Sequence, residues 1–107
     1  MTDKELLELA AKAAGVAWVR HAENTECASL LLKKGGWWNP ITSDGDALRL
    51  AVKLGLGLHI DNVDRFVVCD DEQIYYDETK FGGSSDPYAA TRRAIVRAAA
   101  EIGKEMK

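Results

Sequence analysis

Apolar and polar residues follow two periods along this chain, and the longer period predicts three helices. Near the N-terminus, apolar residues recur every three or four positions after a cap at Thr2. A second helix is predicted from a cap at Ser43 to Gly55, and a third after a cap at Asp86 with Pro87 at its first position. The stripes expected to be buried are Leu6, Leu9, Ala10 and Ala13; then Ala47, Leu50, Ala51 and Leu54, broadened by Leu48 and Val52; and last Tyr88, Thr91, Ile95, Ala98, Ile102 and Met106.

Shorter apolar runs between the helices predict strands. Leu56, Leu58 and Ile60 alternate with Gly57 and His59, the period of a half-buried strand. The other predicted strands are Ala28 to Leu32, Phe66 to Cys69 and Gln73 to Tyr76, the last two joined as a hairpin by Asp70-Asp71-Glu72, while Val16 to Val19 forms either a strand or a packed turn. The order is α-β-β-α-β-β-β-α, an α+β fold in which a mainly antiparallel sheet lies in a three-layer α-β-α sandwich.

Two of the three tryptophans, Trp37 and Trp38, stand side by side between Gly35-Gly36 and Asn39-Pro40. Adjacent residues in an extended segment point to opposite faces. We therefore expect Trp38 to be buried and Trp37 to be partly exposed, and exposed tryptophans are enriched at binding hot spots.

Length and composition predict one globular domain spanning residues 1–107. Hydrophobic residues make up 47% of the chain, but they form no apolar run near 18 residues, so no membrane span is predicted. The charged N-terminus has no apolar signal-peptide core. We expect a soluble, cytoplasmic protein.

Charge is distributed unevenly around a net value of −3. Between positions 61 and 78 only Arg65 is basic, whereas the acidic residues are Asp61, Asp64, Asp70, Asp71, Glu72, Asp77 and Glu78. We predict that this acidic run binds a protein partner, with solvated turns as the alternative. Because the run repels phosphate backbones, we expect no direct nucleic-acid binding.

Three arginines of the last predicted helix, Arg92, Arg93 and Arg97, form a second candidate site for a phosphate or an acidic partner. The alternative is that they pair with Glu101 and solvent, or with the acidic run on the same domain. If the basic and acidic regions meet between subunits, the protein is a homodimer.

No motif predicts catalysis, a metal or a cofactor. Cys27 and Cys69 are expected to be reduced, with Cys69 packed at the end of a strand. His21 and His59 lack ligand spacing, and no serine has a base in a recognisable motif. We therefore predict a non-enzymatic protein without metal or cofactor.

Trp38-Asn39-Pro40-Ile41, the helix from Asp46 to Gly55 and the closing segment from Tyr88 to Ala99 resemble a family of small bacteriophage and prophage proteins, the phage α-β-α sandwich domain. The resemblance covers most of the chain, with the Trp-x-Pro turn as its distinctive part. It implies an α-β-α sandwich of phage or prophage origin, and no catalytic residues.

The resulting hypothesis is a phage or prophage accessory protein that binds a host or phage protein, for instance as an anti-CRISPR-like inhibitor presenting its acidic surface. The alternatives are a small-ligand or nucleotide-binding module that uses the three arginines, and a structural virion component.

Overall fold

The computed structural model describes residues 2–19, 30–32, 36–70, 72–75 and 86–106, and within these ranges the chain forms three helices and six short strands. The helices are α1 (Asp3–Ala14), α2 (Asp44–Leu54) and α3 (Pro87–Glu105), and the strands are β1 (Trp18–Val19), β2 (Leu30–Leu32), β3 (Trp37–Trp38), β4 (Leu58–Asp61), β5 (Phe66–Cys69) and β6 (Glu72–Tyr75). The α+β class is confirmed. The predicted order of elements lacks one strand, β3. The Trp pair forms this strand by pairing with β2.

The described strands form two antiparallel sheets, in the orders β1-β2-β3 and β4-β5-β6, rather than one. The predicted hairpin of β5 and β6 is confirmed, but its connection is shorter than expected. Cys69 lies opposite Glu72, so that Glu72 belongs to β6 and only Asp70-Asp71 connect the strands. Asp70 has a φ of 52°, which suits a two-residue hairpin turn, and aspartate tolerates this left-handed conformation.

All three predicted helix starts are confirmed by side-chain caps. Thr2 accepts the N–H of Glu5, and Ser43 accepts the N–H of Asp46, each at 3.2 Å. Asp86 accepts the N–H groups of two residues in the first turn of α3. These bonds satisfy N–H groups that have no partner inside the helix.

The alanine-rich helix α3 is the centre of the core. Helices α1 and α2 pack against it, and it also covers β5 and β6. Small side chains allow these neighbours to approach from several directions, so α3 buries residues around most of its circumference: Ala90, Ala94, Ile95, Val96, Ala98, Ala99, Ala100 and Gly103.

No helix in the described ranges is long and apolar enough to cross a lipid bilayer.

Helices α1 and α3 run parallel. Asp3 at the start of α1 pairs with Arg93, and Lys12 near its end donates from Nζ to the carbonyl oxygen of Met106 at 2.8 Å. Between these points the backbones approach so closely that a Cβ at Gly103 would overlap the carbonyl group of Leu9. Glycine is therefore needed at this crossing.

Some predicted core positions are wrong. Leu48 and Val52 are 63% and 72% exposed, because α2 buries only the face that carries Ala47, Leu50 and Ala51. The single stripe predicted for the third helix fails at Tyr88, Ile102 and Met106, which are exposed, because α3 packs through alanines on several sides.

The alternation of apolar and polar residues in β4 predicts that its apolar side chains are buried, and this prediction is wrong. Leu58 and Ile60 pair with the buried Cys69 and Val67, yet both are more than 40% exposed. Strand β4 lies at the edge of its sheet, whereas α3 covers β5 and β6.

Replacing Gly103 with alanine should lower the free energy of unfolding by about 2 kcal/mol or more, because α1 and α3 must separate to admit the methyl group. Gly45→Ala is the matched control, since a Cβ there meets only the flexible end of Arg49 and favours the helix. Urea denaturation of both variants measures the difference. Equal stability would show that the two helices are not in close contact.

Candidate functional site

The Trp-Trp turn divides its two side chains as predicted. Trp38 is buried, with 8% of its surface exposed, while Trp37 is 51% exposed. Both pair with β2, so their side chains leave opposite faces of the strand. Pro40 is fully buried behind them and fixes the direction in which the chain enters α2.

Asp46, in the first turn of α2, ties this helix to the turn. Its Oδ2 accepts the N–H of Asn39 at 3.0 Å, and its Oδ1 accepts from Arg49 at 2.7 Å. The Asn39 Oδ1 in turn accepts the N–H groups of Ile41 and Thr42. The side chains of Asp46 and Asn39 therefore both hold the backbone that follows the tryptophans, each by accepting backbone N–H groups.

A groove of about 730 Å³ lies beside this turn, and we call it the Trp groove. It is bounded by the end of α1, by Leu32 and the Trp pair, and by α2. Leu50 and Val16 give it an apolar lining, and Arg49 and Lys53 give it positive charge. Trp37 was predicted from the sequence as a binding residue, but neither of these cations was, although their spacing of four places them on one helix face.

The four described acidic residues of the run lie in two separate places. Asp61 and Asp64 lie at the β4–β5 turn, where Asp61 Oδ1 accepts the N–H of Asp64 at 2.9 Å. Asp70 and Glu72 lie at the other end of β5, about 10 Å away along a four-residue strand. Asp71, Asp77 and Glu78 lie outside the described residues, as do Cys27, His21 and the glycine-rich segment at positions 81–85.

Asp70 and Glu72 instead share a groove of about 300 Å³ with Glu101 and Glu105 of α3. We call this groove, with its four carboxylates, the carboxylate groove. Asp70 is also held in place, because its Oδ1 accepts the N–H of Gly57 at 2.9 Å. Glu101 and Glu105 were not predicted to lie beside the acidic run. Their spacing of four on the last helix was the available signal, but nothing in the sequence placed that helix beside the hairpin.

Two of the candidate arginines are paired with different carboxylates of the same chain. Arg92 donates from Nε to the Ile41 carbonyl oxygen at 2.7 Å and pairs with Asp44 at 2.6 Å. Arg93 pairs with Asp3 of α1 at 3.4 Å. Among the described residues, neither arginine pairs with Glu101 or with the acidic run. Arg97 is exposed and forms no ion pair with another described residue.

Cys69 is packed as predicted and is fully buried. Burial, followed by the charges of Asp70 and Glu72, raises the pKa of its thiol to about 11. The thiol therefore stays protonated near neutral pH, and a thiol is a poor nucleophile. No group of three histidine, cysteine or acidic side chains among the described residues has a geometry that would hold a metal ion.

No protein-family model, no curated protein and no solved structure matches this chain.

The Asp46→Ala variant should lower the free energy of unfolding by about 1–3 kcal/mol, because the partly buried Asn39 N–H loses its acceptor. Asp44→Ala removes an exposed carboxylate of the same turn and should cost about 1 kcal/mol or less. Thermal unfolding followed by circular dichroism compares the two. A smaller loss in Asp46→Ala than in Asp44→Ala would contradict the role of Asp46.

In a Cys27→Ser background, Cys69 should react with iodoacetamide at pH 8 at least about a hundredfold more slowly in the folded protein than in urea. Burial raises the pKa of its thiol from 9.0 to about 11, so the thiolate fraction at pH 8 falls by about two powers of ten, and burial also restricts access. Mass spectrometry of timed samples measures both rates. Equal rates would mean that Cys69 is accessible.

Proposed function

We propose that this protein is a non-enzymatic phage or prophage accessory protein that acts in the bacterial cytoplasm by binding another protein. The observation that supports this proposal best is the carboxylate groove, in which two separate elements contribute four carboxylates. Among the described residues, the one ion pair made by these four carboxylates is the long contact of 3.5 Å between Glu101 and Lys104. The groove therefore keeps most of its negative charge for a partner.

A basic protein is the partner that this charge favours. Complementary potentials speed association and exclude partners of the same charge. Ala98 and Ile102 add apolar surface between the carboxylates. A surface of this kind resembles a short run of phosphates, so a nucleic-acid-binding channel of a bacterial defence complex is the specific target that we propose. The protein would then act as an anti-CRISPR-like inhibitor.

The three-layer α-β-α sandwich of the phage family forms part of the same proposal. It is supported by the position of α3, which contacts α1 and α2 as well as β5 and β6. The buried Trp38, the fully buried Pro40 and the capped helix that follows them also fit the Trp-x-Pro turn on which the resemblance rests.

The test is affinity capture from a bacterial lysate with the full chain, followed by mass spectrometry. The wild type should retain a basic protein, and the double variant Glu101→Gln/Glu105→Gln should lose at least about 90% of it, because two charge-assisted contacts are removed without a change of shape. Asp70 is left intact, since it also supports Gly57.

The matched control is Asp61→Asn/Asp64→Asn, which removes the same charge at the other end of the hairpin and should retain the partner. A DNA oligonucleotide added to the lysate should compete with capture if the partner site is a nucleic-acid channel. Capture that survives the glutamate substitutions would refute the carboxylate groove as the binding surface.

A further inference from the structure

We infer that the Trp groove is a second binding site, and that it takes an acidic peptide segment carrying a large apolar side chain. This inference goes beyond the proposed function. It concerns a different surface, which shares no lining residue with the carboxylate groove. It also calls for a partner of the opposite charge.

Aromatic and aliphatic side chains form the apolar half of the site, and the base of the groove consists of buried core residues. Leu50, at 3% exposure, and the buried Trp38 form part of the core beneath the groove. Trp37 rises at the edge with half of its surface exposed. A tryptophan in this position offers a large, rigid contact area that loses little conformational entropy on binding.

The charged half is made by Arg49 and Lys53, which lie four residues apart on α2. Among the described residues, Asp46 is the one carboxylate that lines the groove, and it already accepts hydrogen bonds from both the Asn39 N–H and Arg49. Lys53 is exposed and forms no ion pair with another described residue. The groove thus has a positive excess that a carboxylate would neutralise.

The size of the groove fits a peptide segment. About 730 Å³ lies within the range of roughly 300–1,000 Å³ that is typical of ligand sites, so two or three side chains can enter. An apolar side chain against Trp37 and Leu50, with an aspartate or glutamate a few positions away near Lys53, would use both halves at once. A basic segment would meet two like charges at the same place.

The test is selection of ten-residue peptides from a yeast-displayed library, with the biotinylated full chain as bait. The selected peptides should carry Asp or Glu within a few positions of Phe, Trp or Leu. Their affinity should fall about tenfold or more in Trp37→Ala and in Lys53→Glu, because each variant removes one half of the site. Lys104→Glu makes the same charge change outside the groove and should leave affinity within about twofold of the wild type.

Three other results would overturn the inference. Selected peptides rich in Lys or Arg, or an affinity unchanged in both groove variants, would exclude an acidic occupant. Without peptide, a Trp37 indole N–H resonance that shifts with protein concentration would show that a second copy of the chain occupies the groove. An unchanged unfolding temperature in Trp37→Ala and Lys53→Glu ensures that lost binding reflects the site.

The two proposals fail separately in this assay. The Glu101→Gln/Glu105→Gln variant leaves the Trp groove intact and should bind the selected peptides as tightly as the wild type. Acidic peptides that bind while no basic protein is captured would refute only the carboxylate groove.

Discussion

The close contact between α1 and α3 is the constraint on which the rest of the structure depends. It requires glycine at position 103 and alanine along much of α3, because larger side chains would separate the helices. With α1 held at this distance, α3 also contacts α2 and the inner face of β5 and β6. The last turns of α3 therefore lie beside the β5–β6 hairpin, where Glu101 and Glu105 meet Asp70 and Glu72. The carboxylate groove is a consequence of how α3 packs.

The Trp groove depends on a different set of bonds. Asp46 joins the first turn of α2 to the backbone at Asn39, directly after the strand in which Trp38 packs inward and Trp37 remains at the surface. The same carboxylate orients Arg49 on the next turn. One aspartate therefore fixes both the aromatic edge and one of the two cations of the groove, so the surface and the fold are not independent here.

Features that depend on neighbouring residues were predictable from the sequence, and features that depend on distant contacts were not. The caps at Thr2, Ser43 and Asp86 act over three residues, and the structure confirms them. The division of Trp37 and Trp38 also followed from strand geometry. In contrast, Leu48 is exposed although its spacing suits a buried stripe, because burial depends on which element covers the helix. Within the acidic run, Asp61 and Asp64 are separated from Asp70 and Glu72 by the length of β5, while Glu101 joins Glu72 from a remote helix.

Because α1 and α3 are parallel, the partial charges of their C-terminal ends lie at the same end of the molecule. The aligned peptide dipoles of a helix leave roughly half a negative charge at its C-terminal end. Because α1 and α3 end on the same side, these partial charges come together near Met106, where Lys12 binds a carbonyl oxygen. The Lys12 ammonium lies against these carbonyl ends and therefore offsets much of their negative potential. The parallel helices therefore place a cation from α1 on the end of α3, and the negative charge at this end of the molecule comes from the side chains of Glu101 and Glu105.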